Sequence, residues 1–493
     1  MDIYEKRLRE FKNIIEKVEQ MNYLVKGILY WDRIVAMPEG AVDVRNEMNS
    51  FLGSEMYYMV SGSAFRKYTA YFKNNPQNDQ ITDAMINRIT YNTYFSENTP
   101  EDQYHEYLNL IGEAEKVWTR AKKNNDFAEF KPYFQKICDT FTSFARFWGY
   151  RETPYDALMS YYEPDTTVKK LDELIECIKP YLIGKTQEMK SREVSELPKI
   201  NVPEAIQKKV WNEVLEDFGF DFACGRIDTG SFPIVLAYSP YDVRIINEYR
   251  EDDIKTGIGN ILHSGAKGIY VQSVDKRLTG TLLSCAPTML MDEAVARFYE
   301  NLIGRSRGFT DYLYDKFTKY TDAFKNVTKD EFYDDFNRVS TGTIRLEADD
   351  LTEVLHIIIR YEVERDLING KISINDVKDI WNDKYEEYLG VRPENDSEGI
   401  LQDIHWATGY MGYFPVYIRA ELIACQIAEA MTKETGSINA LFETGEIHKI
   451  YDWMKENIFK YGAVLSTKEL CDIFTESEDD PELYIKYIEN KYL

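Results

Sequence analysis

Apolar residues recur along most of this chain at intervals of three and four, the spacing that lines one face of an α-helix. Over residues 2–28, Tyr4, Leu8, Phe11, Ile14, Ile15 and Val18 make such a face. Similar patterns occupy roughly 100–150, 166–190, 285–325, 345–370 and 415–433, which predicts a mainly α chain. Pro38 with Gly40, Pro154, Pro164, Pro180 and Pro203 punctuate the series as loop or helix-start signals. One stretch breaks the helical rhythm. Within Gly225–Ile246, the segments Ser231–Tyr238 and Tyr241–Ile246 are β-branched and aromatic and are split by Ser239-Pro240. They predict a hairpin or small sheet near 225–250.

The polar run Pro393–Gly399 and the acidic run Glu476–Pro481 read as exposed loops. No repeat, low-complexity block or Gly/Ser linker divides the chain. The expectation is one helical domain over 1–493, with a helical half at about 1–200 and a half carrying the candidate site at about 201–493.

Composition narrows the function classes. At 44% apolar residues, with 37 Tyr, 25 Phe and 7 Trp, the chain can fill a sizeable core. A formal charge of −25 argues against a nucleic-acid or anionic-membrane binder, since both need basic surface. Cys138, Cys177, Cys224, Cys285, Cys425 and Cys471 are scattered without a CxxC, which suits unpaired thiols in a reducing compartment. The N-terminus is charged, with no signal-peptide pattern, and no apolar run approaches the ~20 residues of a membrane helix. A cytoplasmic protein is expected.

Six local signatures then line up in order. They are Trp31-Asp32 with Met37-Pro38-Glu39-Gly40, Pro154–Pro164 (PYDALMSYYEP), Asp242-Val-Arg244, Ile344–Asp349 (IRLEAD), Gly399–Trp406 (GILQDIHW) and Gly412–Tyr417 (GYFPVY). Together they resemble the carboxypeptidase Taq family of metallocarboxypeptidases across nearly the whole chain. The resemblance implies a zincin-like helical scaffold with a deep groove, a divalent metal such as zinc, release of C-terminal amino acids and a homodimer.

The departures from that pattern matter more. Where the family carries HExxH, this chain reads His263-Ser264-Gly265-Ala266-Lys267. Glu293 resembles the family's third metal ligand, and Asp292 replaces a family His. An ammonium has no lone pair for a metal and repels a dication. Ser264 cannot act as the carboxylate base that relays the proton of a metal-bound water. The expected metal centre is therefore vestigial, with no cofactor and a Lys267–Glu293 ion pair in its place. Four glycines within Gly257–Gly268 predict a helix that is irregular or held by tertiary packing.

The resemblance sets Arg345 and His405 near a substrate groove, able to hold a peptide's terminal carboxylate, with Tyr413 and Tyr417 lining it. Pairing of Arg345 or His405 with Asp349 or Asp403 is the structural alternative. Asp242 and Arg244 are expected to brace the hairpin beside the site and to join the substrate-binding set, and Trp31 and Trp406 to pack. A Ser264/Lys267 nucleophile dyad has poor helical geometry. Three readings follow: a catalytically silent homologue binding peptide C-termini, an active peptidase using His263, Glu293 and a further donor such as Asp292, or a structural homodimer.

Overall fold

The computed structural model describes residues 3–76, 79–192, 197, 200–230, 232–476 and 479–493. Ser231, at the start of the predicted hairpin, and Ser477 and Glu478 of the acidic run lie outside the described residues. The chain forms two compact units, each assembled from three stretches: 1–92, 197–336 and 427–478 in the first, and 93–196, 337–426 and 479–493 in the second.

In the first unit, helix Ile3–Asn22 packs on Ser63–Lys73 through Phe11, which stacks on Phe72 at 5.5 Å and meets Phe65 at the same separation, and helix Val42–Ser61 also packs against it. The predicted hairpin is present as β2 (Ile234–Ser239) antiparallel to β3 (Asp242–Asn247), with a bulge between Ala237 and Ser239. The sequence reading missed a third strand. β1 (Gly225–Thr229) runs parallel to β3, which makes β3 central in the order β1-β3-β2. Its Arg226 and Asp228 hide the apolar alternation that marks β3.

Helix Ile254–Ser273 packs across β2 and β3 and is continuous despite its glycines. Tertiary packing explains them. A Cβ at Gly265 would run into the Leu215 side chain, and one at Gly268 would sit 3.0 Å from Val243 and 3.1 Å from Phe220. The missing side chains let the helix settle onto the sheet and onto helix Glu204–Asp217, and that contact offsets their poor helix propensity.

In the second unit, the pattern over 100–150 resolves into two helices, Glu101–Asn124 and Phe127–Trp148, joined where Asn125 adopts φ 57°. Phe127, Phe130, Phe134, Ile137, Phe141, Phe144 and Trp148 form the buried stripe of the second of them. The short helix Pro154–Ser160 begins with a capping box in which Asp156 accepts from the backbone of Thr153. Helix Glu353–Ile368 is buried along most of its length, and its pattern begins later than the 345–370 expectation because Arg345–Glu347 is a separate 3-10 turn. The final helix Pro481–Lys491 is tied down where Lys491, Tyr487 and Tyr492 all bond the buried Asp350.

None of the six cysteines is in a disulfide. Among the described residues no helix is long and apolar enough to cross a membrane.

The glycine packing predicts substitutions of opposite sign. Gly265→Ala should destabilise the fold by about 1–3 kcal/mol through overpacking against the buried Leu215. Gly257→Ala meets only Gln207 at 3.6 Å and should stabilise it by up to ~1 kcal/mol. Urea denaturation of both variants checks this, and equal shifts would contradict the packing account.

Candidate functional site

Helix Ile254–Ser273 sets His263 and Lys267 one turn apart on a single face, with Ser264 buried between them in sequence. Helix Met289–Arg297 packs beside it and supplies Asp292 and Glu293. The π-helical turn Phe298–Ile303 that follows is wider than an α-turn, and it brings Glu300 back toward the same face.

Lys267 Nζ donates to Glu293 Oε1 at 2.7 Å and lies 3.1 Å from Asp292 Oδ2. The expected ion pair forms and gains a second carboxylate. Adjacent residues on a helix point ~100° apart, but the lysine stem reaches between the two. His263 is bracketed in turn, with Nε2 3.3 Å from Glu293 Oε2 and Nδ1 2.9 Å from Glu300 Oε2. Arg297 Nη1 lies 3.3 Å from the same Glu300 oxygen.

Charges balance in this cluster. Burial opposes ionisation of Glu293, yet Lys267 and His263 hold its carboxyl well below the usual range. Burial also opposes ionisation of Glu300, and Arg297 and His263 overcome it. For His263, burial and the Lys267 charge favour the neutral ring, but Glu293 and Glu300 outweigh them and raise its pKa. Lys267 and Arg297 thus face Asp292, Glu293 and Glu300, and the two glutamates draw the His263 ring toward its protonated form. His263 and Glu293 carry donor types a metal could use, whereas Lys267 does not. Among the described residues no three His, Cys, Asp or Glu side chains are arranged to hold one metal ion.

Asp242 and Arg244 lie in the same unit and brace its N-terminal helices. Arg244 Nε and Nη2 reach Asp242 at 3.0 and 2.9 Å, and the Tyr23 hydroxyl donates to Asp242 as well. The Arg244 guanidinium stacks 4.6 Å from the Trp31 ring, whose indole N–H bonds Asp228 at 2.7 Å.

The second unit holds the other predicted residues. Arg345 is buried on its 3-10 turn, with Nε 3.3 Å and Nη2 3.1 Å from Asp403 Oδ1 and Nη1 3.7 Å from Glu353. Arg360 takes the other Asp403 oxygen, Nε at 2.6 Å. Asp403 is the partner of Arg345, whereas Asp349 bonds backbone N–H groups of Ser340, Leu351 and Thr352. His405 stacks on Tyr413 with ring centroids 5.3 Å apart, and Tyr413 and Tyr417 share a hydroxyl–hydroxyl bond of 2.7 Å. Burial pulls the His405 pKa down to about 4; Asp403 works against that, and Arg345 and Arg360 reinforce it.

Glu364 holds the loop that carries His405 and Tyr413. It accepts from Tyr155 Oη at 3.0 Å, from Trp406 Nε1 at 2.6 Å and from the Gly412 N–H. Trp406 is a packing residue, stacked 4.6 Å from Phe134. Burial pushes the Glu364 carboxyl up to about 7 against its three donors.

Sequence reasoning missed Arg297, Glu300, Arg360 and Glu364. A signal existed for each pair: Arg297 and Glu300 follow Glu293 at four and seven residues, and Arg360 and Glu364 stand four apart in one buried helix.

Comparison with known proteins places this geometry. The family profile described as "Carboxypeptidase Taq (M32) metallopeptidase" matches residues 10–492. The chain is 32% identical to "Carboxypeptidase 1" of Bacillus subtilis over 98% of this chain and 97% of that protein. A solved structure of Pyrococcus furiosus carboxypeptidase superposes with a TM-score of 0.95 at 26% identity, covering all of this chain and 99% of the other. Metallocarboxypeptidase 1 of Trypanosoma cruzi follows at 0.93 and 28%, with 99% of both chains covered.

Two pH predictions follow. His405 should stay neutral, so its ring proton resonances should not move between about pH 8 and 5.5; a midpoint near ~6.5 would contradict its environment. Folded Glu364 keeps its proton over a range where the unfolded chain, titrating near 4.5, has lost it. Stability should therefore fall as pH rises from about 4.5 to 7, by about 3 kcal/mol from this group. Glu364→Gln should lack that component in denaturation curves across the range.

Proposed function

Because this chain belongs to the carboxypeptidase Taq family of metallopeptidases, we propose that it is a homologue without hydrolytic activity that binds peptide C-termini independently of metal. The observation that carries this reading is the Lys267 ammonium, bonded to Glu293 at the position where the family's pattern calls for a second histidine ligand. The residues there do not fit the divalent cation the family implies. Lys267 offers no lone pair, Glu293 already neutralises it, and both His263 nitrogens face carboxylates, which favours the cationic ring over the neutral ligand form. Ser264 removes the proton relay as a separate loss.

Binding of a peptide carboxylate is supported by Arg345, Arg360 and His405. Two guanidiniums share Asp403, so that trio carries one net positive charge, which Glu353 at 3.7 Å offsets in part. A terminal carboxylate would exchange with Asp403 or Glu353 for the Arg345 fork, and the neutral His405 ring would supply a donor. In this reading the protein works as a cytoplasmic homodimer.

Elemental analysis of metal-supplemented protein, run beside a peptide-release assay, tests the first half. The expected result is substoichiometric metal and no released amino acid. Near-stoichiometric metal with chelator-sensitive release would establish an active peptidase instead. The Ser264→Glu, Lys267→His double variant should take up zinc; a folded double variant that binds none would show that the motif positions are misassigned. For the second half, amidating the peptide or introducing Arg345→Ala should weaken binding roughly 10- to 100-fold, the worth of one charge-assisted hydrogen bond.

A further inference from the structure

Three tyrosines of the unit that holds His405 are open to solvent. Tyr104, Tyr161 and Tyr410 are 38%, 48% and 48% exposed. They belong to one connected set of rings. Tyr410 meets His405 edge-on at 6.1 Å and Tyr413 at 5.4 Å; Tyr413 meets Tyr162 at 5.6 Å, and Tyr162 meets Tyr161 at 5.0 Å. Tyr161 rests in turn on Phe95 at 4.9 Å and on Trp148 at 6.2 Å. Tyr104 joins through Tyr107, 6.1 Å away, whose hydroxyl packs against Gly409 where the backbone turns with φ 82°. A side chain at residue 409 would collide with that hydroxyl, so the glycine lets the ring set close on the turn that carries His405.

The hydroxyls also lie near enough to act on one another. Burial raises the Tyr161 pKa, and the Tyr104 and Tyr410 oxygens raise it further. Side-by-side aromatic surface left open to water marks a binding face more often than a scattered exposed ring does. These rings lie within a buried framework, so little entropy is lost when they receive a ligand.

We propose that Tyr104, Tyr161 and Tyr410 form a subsite for an aromatic side chain of the peptide whose terminal carboxylate meets Arg345 and His405. The inference rests on the C-terminal binding reading above and adds a specificity to it. Tyrosine rims and edges suit a ring that can pack edge-to-face, with burial adding to the contact. A lysine or arginine side chain would also find π faces, but it must keep its charged head hydrated and so gains less from burial than a ring does. An acidic side chain would gain only hydroxyl donors.

The test is calorimetric titration of the full-length protein with unlabelled short peptides. Ala-only sequences, as free acid and amide, are compared with sequences carrying one Phe, Leu or Lys at each of the last three positions. One Phe position should bind about tenfold tighter than Ala, the scale of one aromatic contact with its burial. That gain should vanish in Tyr410→Ala and shrink in Tyr104→Ala, while Tyr410→Phe should keep most of it. Both substituted residues lie at the surface, and the unchanged affinity of the Ala-only acid serves as the folding control.

If acids outbind amides but no Phe position exceeds Ala, the subsite is wrong and the carboxylate reading survives. A preference for Lys, or a Phe gain that persists in Tyr410→Ala and Tyr104→Ala, also overturns the subsite. If acid and amide bind equally, or nothing binds, both readings fall together.

Discussion

The close seat of helix Ile254–Ser273 on its sheet is the constraint from which the first unit's arrangement follows. Two positions on that helix can carry no side chain without displacing Leu215, Val243 or Phe220, and the contact holds only if all of these pack at interior density. With the helix fixed this closely, His263 and Lys267 have one orientation, and the Met289–Arg297 helix must bring its carboxylates to meet them. The π-helical turn that follows supplies Glu300, which meets the second nitrogen of His263. Charge placement in this unit is thus a consequence of backbone approach.

The second unit uses a different device. Its buried charges are shared rather than paired one to one: Asp403 serves two guanidiniums, and Asp350 serves a lysine and two tyrosines. Sharing satisfies more donors per buried carboxylate, which matters where an unmet polar group costs about 1–3 kcal/mol. It also links distant stretches of sequence, since Arg345, Arg360 and Asp403 come from three separate elements. Glu364 does the same for Tyr155, Trp406 and Gly412.

Much of this was legible in the sequence, for physical reasons that differ by element. Helix Phe127–Trp148 announces itself because its aromatic residues recur every three or four positions on one buried face. The β2–β3 hairpin is visible because β-branched residues flank a Ser-Pro break. Strand β1 is not, because Ile227 is its one apolar side chain and its partner lies across β2 in sequence. The Lys267–Glu293 pair could be anticipated from helical spacing and charge. Glu300 stands seven residues after Glu293, on nearly the same helical face, but nothing in the local pattern marks it as a partner of His263. Arg345 was read as a ligand contact or an ion pair, and the geometry supplies the ion pair with Asp403; what else it holds is a question of binding, which a fold alone does not answer.

The balanced cluster around Lys267 has an evolutionary implication. A chain with these residues cannot return toward the family's motif by single steps without penalty. Changing Lys267 to histidine alone removes a full positive charge facing Asp292 and Glu293. Changing Ser264 to glutamate alone adds a carboxylate at a buried position on a helix that already faces three. Each substitution is tolerable chiefly in the presence of the other and of a metal to replace the lost charge, so the effects are strongly epistatic. On the proposed reading, an ammonium settled among the carboxylates would work as a ratchet, and drift would preserve the site even without selection for what it does.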